Sequence, residues 1–68
     1  MERYRLLLGK TGGKTDCVEF FVQNDEKANS IRAIVEQYAD YTKLYHLTDS
    51  GTGKSRRVIF KEVFRKGD

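Results

Sequence analysis

Two stretches of this chain, forty residues apart, spell the same pattern, Gly-Lys-(Thr/Ser)-x-x-Val-x-Phe. They are Gly13-Lys14-Thr15-Asp16-Cys17-Val18-Glu19-Phe20 and Gly53-Lys54-Ser55-Arg56-Arg57-Val58-Ile59-Phe60. Each puts a glycine turn directly before strand formers whose large residues recur at every second position. That is the pattern of a hairpin turn entering a half-buried strand. Two hairpins in 68 residues leave room for one further element.

The segment before each turn supplies the other arm. Residues 3–8 alternate, with Tyr4, Leu6 and Leu8 on one side and Arg3, Arg5 and Leu7 on the other. Residues 41–48 alternate more weakly, Tyr41, Lys43, Tyr45 and Leu47 against Thr42, Leu44, His46 and Thr48. Between the hairpins, Asn24 or Asp25 can cap a helix, and Asp25 and Glu26 suit the positive end of its dipole. Ala28, Ile31, Ile34, Val35 and Tyr38 then form one apolar stripe, with Lys27, Asn29, Arg32, Glu36 and Gln37 opposite, and the helix is expected to end near Ala39 or Asp40.

The expected fold is therefore α+β. The order is ββαββ, with two β-hairpins forming one mostly antiparallel four-stranded sheet and a single amphipathic helix on one face. Residues 1–68 form one small domain with a frayed tail from about residue 65. The core face is expected to hold Tyr4, Leu6, Leu8, Val18, Phe20, Val22, Leu44, Val58 and Phe60.

Several functions lose support. The Gly-Lys-(Thr/Ser) fragments are not phosphate loops, because the leading glycine of that motif falls on Leu8 and on Thr48, and a strand rather than a helix follows each turn. No nucleotide is expected. One cysteine and one histidine supply neither a disulfide nor a usual metal ligand set, and no cofactor or metal is implied. Cys17 and His46, the one nucleophile–base combination of that type, fall on opposite faces, so the chain reads as non-catalytic. No apolar run is long enough for a membrane span and no secretory leader is visible, which points to a cytoplasmic protein without membrane contact.

What remains is a binding surface. The net charge of +3 is uneven: +1 over residues 1–23, −2 over 24–40 and +4 over 41–68. The uncovered sheet face is expected to present Arg3, Arg5, Leu7, Phe21, Lys43, Tyr45, Arg57, Ile59 and Lys61, with Lys10, Lys14, Lys54 and Arg56 in the turns. Cations interleaved with rings suit nucleic acid or a nucleoprotein complex, where cations hold phosphates and rings stack on bases. The alternative is a protein-interaction or inhibitor module that uses the apolar members of the face, or a strand edge, against a protein partner or a second copy. Small size, polarised charge and the lack of catalytic groups fit an accessory protein of a phage or other mobile element.

Overall fold

The computed structural model describes residues 1–51, 53 and 56–66, the side chains of Arg65 and Lys66 excepted. The elements are β1 (Glu2–Gly9), β2 (Thr15–Val22), α1 (Asp25–Glu36), β3 (Tyr41–Ser50) and β4 (Arg57–Lys66). This is the expected ββαββ order. All pairings are antiparallel and the sheet order is β2-β1-β3-β4. The two hairpins thus lie side by side with their first strands in the centre. Strand β4 continues through Lys66, past the point where fraying was expected.

The core forms where the central strands meet the helix. Leu6 pairs with Leu44 and Tyr4 with His46, which puts these side chains on the helix side of the sheet. Tyr4, Leu6, Leu44 and Ala28 are buried, and Leu8, Phe20, Val22, Val35, Val63 and Phe64 pack around them. Asn24 caps the helix: its side chain accepts a hydrogen bond from the Lys27 amide at 2.9 Å. The buried Tyr4 hydroxyl donates to Asp25 Oδ1 at 2.6 Å and pins the same helix end to β1. Burial first, then the bond to Asp25 and the nearby carboxylates, push this phenol well above its usual value.

The far end of the helix is tied down by a close approach. The Asp40 amide donates to the Gly9 carbonyl at 2.8 Å, and the Tyr41 ring covers Gly9 so closely that any Cβ there would collide with it. Gly9 is thus the residue that admits the ring. Asp40 also accepts from the Thr11 amide at 2.6 Å, which lowers its carboxyl below the usual range. With these anchors in place, α1 ends at Glu36, earlier than the apolar periodicity implied, and the Tyr38 and Ala39 amides close the last turn on Val35 and Glu36.

Three expectations about faces are corrected. First, Arg32 is buried rather than solvated, while Ile34 and Tyr38 are exposed. The Arg32 guanidinium lies 3.6 Å from the Phe64 ring centroid. It donates to Asn29 Oδ1 at 2.6 Å, Glu36 Oε2 at 2.5 Å and Thr42 Oγ1 at 3.2 Å. A buried cation needs such partners, and here they are complete enough for its long stem to serve as core. Second, Val18 lies on the helix side but is exposed, because α1 packs chiefly on β3, with β1 and β4 next.

The third correction concerns β4. Leu44 pairs with Phe64, but the next residue, Tyr45, pairs with Glu62, so Val63 is an extra residue in the ladder. A one-residue slip sends every following side chain to the other face. Phe64 therefore enters the core, while Val58 and Phe60 move to the open face. Arg57, Ile59 and Lys61, expected on the open face, lie on the helix side opposite Ser50, Thr48 and His46.

Candidate interaction face

Pairing across the four strands builds the open face in rows. One row is Phe21, Arg3, Leu47 and Phe60; the next is Glu19, Arg5, Tyr45 and Glu62; a third holds Cys17, Leu7 and Lys43. Of the residues expected here, Arg3, Arg5, Leu7, Phe21, Lys43 and Tyr45 are present, joined by Val58 and Phe60 from β4. Leu47, between Arg3 and Phe60 in register, is 4% exposed, so this face carries a small buried centre of its own.

The two arginines share one carboxylate. Arg3 Nη2 lies 3.2 Å from both Glu19 oxygens. Arg5 donates to Glu19 Oε1 from Nη2 at 2.5 Å and from Nε at 3.1 Å. Hydrogen bonds from Arg5 and then Arg3 hold the Glu19 carboxyl below its usual range, and Glu19 in turn raises Arg5. The Arg5 guanidinium also sits 4.9 Å over the Phe60 ring, and Tyr45 meets that ring edge-on at 6.2 Å. Lys43 makes no ion pair with another described residue. The apolar members stand open: Phe21 is 59% exposed, Phe60 47% and Val58 44%.

The turn residues lie away from this centre. Lys10 and Lys14 flank the first turn, where the Gly13 amide donates to the Lys10 carbonyl at 2.8 Å and Gly12 takes a φ of 79°. Arg56 pairs with Asp49 at 3.4 Å in the second hairpin. Lys54 lies outside the described residues. Gly9 pairs with Tyr41 at one end of the sheet and Ser50 with Arg57 at the other, so the two hairpin tips point in opposite directions, as the topology implied. A phosphate shared by both turns is ruled out by that separation.

On the helix side, Lys61 lines a shallow cleft with Glu2, Tyr4, Asp25, Glu26 and His46. His46 is stacked on Tyr4 at 4.9 Å and its Nε2 is 2.9 Å from Glu2 Oε1. Cys17 is exposed on the open face of β2, two strands away from His46 and on the other side of the sheet. Among the described residues, no three His, Cys, Asp or Glu groups are placed to hold a metal, and no helix is long and apolar enough to cross a membrane.

The sequence reading missed Glu19 as the organiser of this face. Its signal was present: Glu19 has the same strand parity as Phe21, and a tight first hairpin brings that parity beside Arg3 and Arg5. Phe60 and Val58 had no such signal, because the extra residue at Val63 is set by tertiary packing. Comparison with known protein families, with curated proteins and with solved structures found no match to this chain.

Proposed function

We propose that this chain is a small non-catalytic protein-interaction module whose open sheet face docks an apolar surface of a protein partner. The observation that carries the reading is the exposed row of Phe21 and Phe60, with Val58 beside it, next to two arginines that share the Glu19 carboxylate. Rings with satisfied charges around them favour an apolar partner, since aromatic and arginine side chains supply most of the energy at protein interfaces. A polyanion instead rewards free cations, and Lys43 is the described cation of this face without a carboxylate. A cytoplasmic accessory role, as composition suggests, belongs to the same reading.

Capture from the native host tests it. A discrete protein should be retained after nuclease treatment, lost with Phe21→Ser plus Phe60→Ser, and kept with Lys43→Ser. Nuclease-sensitive capture would overturn the reading.

A second reading is supported by β4 itself. Four of its ten residues are basic, and Arg57 and Lys61 share its helix side. Nucleic acid or a nucleoprotein complex would then run along that edge, with Lys10, Lys14, Arg56 and Lys43 as outlying contacts. Its signature is binding of a short labelled oligonucleotide that weakens steeply with salt and disappears with Arg57→Glu; binding indifferent to both removes it.

A further inference from the structure

The two edges of the sheet are built differently. Strand β4 has the features that keep an edge from pairing with another chain: four basic residues and a bulge at Val63. Strand β2, Thr-Asp-Cys-Val-Glu-Phe-Phe-Val, has no lysine, arginine or proline. It pairs with β1 without a register shift over its whole length, from Thr15 to Val22. Its outer side carries no strand among the described residues. An eight-residue edge of this kind, with five apolar residues and the two acids Asp16 and Glu19, is a template for a further strand.

A second feature lies beside it. Because α1 packs chiefly on β3, β1 and β4, the helix side of β2 is covered at Phe20 and Val22 but leaves Val18 half exposed. Ile34 on α1 and Tyr38 just past its end are exposed and turned away from the Arg32–Phe64 contact with β4. Tyr38 borders a shallow groove with Leu8, Lys14 and Asp16, which places it on the β2 side.

Charge selects the occupant. Lys10 and Lys14 precede β2, whereas Asp25 and Glu26 follow it. Antiparallel pairing of β2 with β2 of another copy, about a two-fold axis at Phe20, sets the basic turn of each copy beside the acidic helix start of the other. Parallel pairing would set like charges together. We propose that the β2 edge is a self-association site, where a second copy of this chain adds its β2 antiparallel to form an eight-stranded sheet. Both helices lie on one face, and Val18 of each copy is covered by β2 of the other. Among the described residues, a core cluster of four buried apolar side chains is small for an independent domain, and this contact extends it.

Sedimentation equilibrium of the full chain over a range of concentrations tests the proposal. The wild type should self-associate to a dimer. Val18→Lys, which adds an edge-guarding lysine, should abolish the dimer, with an unchanged circular dichroism spectrum reporting the fold. Should that variant fail to fold, Cys17→Lys at an exposed position of the same edge reads the same surface. Lys14→Glu or Glu26→Lys alone should raise the dimer dissociation constant about five- to tenfold, because the axis repeats each ion pair, and the two together should restore it. A monomer at every concentration overturns the proposal and leaves the edge to a strand of another protein. So does a dimer insensitive to these changes, or one broken instead by Phe60→Ser on the open face of β4.

Discussion

The two hairpins carry the same eight-residue pattern and use it in opposite ways. In the first, Val18 and Phe20 pair with Leu6 and Tyr4 on the helix side of the sheet. In the second, Val58 and Phe60 pair with Asp49 and Leu47 on the open side. Nothing in the repeated residues differs enough to cause this. The difference lies downstream, where Val63 adds one residue to β4 and lets Phe64 take the core position against Arg32 and Leu44. The pairing is anchored where burial is greatest, and the repeat takes whichever face is left. A shared motif therefore predicts a shared local shape, a turn and a strand, but not a shared orientation.

The sharpest way to break this comparison is to truncate the two β4 phenylalanines separately. Phe64→Ala should cost about 3 kcal/mol, since it empties the space under Arg32, and Phe60→Ala should cost less than about 1 kcal/mol, since its ring is half in solvent. Urea unfolding of both variants measures the gap; equal costs would mean that the faces have been assigned wrongly.

A smaller effect probes the tie between the first hairpin and the helix. Tyr4→Phe removes the buried hydroxyl's bond to Asp25 and should cost about 1 kcal/mol. The Tyr4 phenol is raised in the folded state, so its contribution is full below the ordinary tyrosine value near 10 and is lost as pH climbs from there. Thermal melts above that pH should thus fall more steeply for the wild type than for the variant.

The smallest expected effect is at Glu19. Its carboxyl is depressed in the folded protein, so its contribution is present above the ordinary glutamate range and vanishes as pH falls through the folded value. Glu19→Gln should lower the melting temperature slightly at neutral pH, and the difference from the wild type should close in acid. A difference that persists in acid would show that the Arg3–Glu19–Arg5 contact matters through packing rather than charge.

Much of this was legible in the chain. Two glycine turns, period-two alternation and the Asn24 cap specify the elements and their order, because turn chemistry, strand alternation and capping act over a few neighbouring residues. Tyr4, Leu6 and Leu44 could be placed in the core for the same reason. Arg32 could not: a cation reads as solvated until Asn29, Glu36, Thr42 and Phe64 are brought around it, and the last two come from distant strands. On the candidate face, Arg3, Arg5, Phe21, Lys43 and Tyr45 were found from alternation, while Arg57 and Lys61 were misplaced with the rest of β4.

By itself the sequence determined the ββαββ order and the two antiparallel hairpins, since these follow from short-range backbone preferences. The tertiary structure decided which side of β4 meets the helix, that an arginine completes the core, and that β2 keeps a bare edge. Each of those depends on register, and register is settled only when strands and helix compete to bury the same surface.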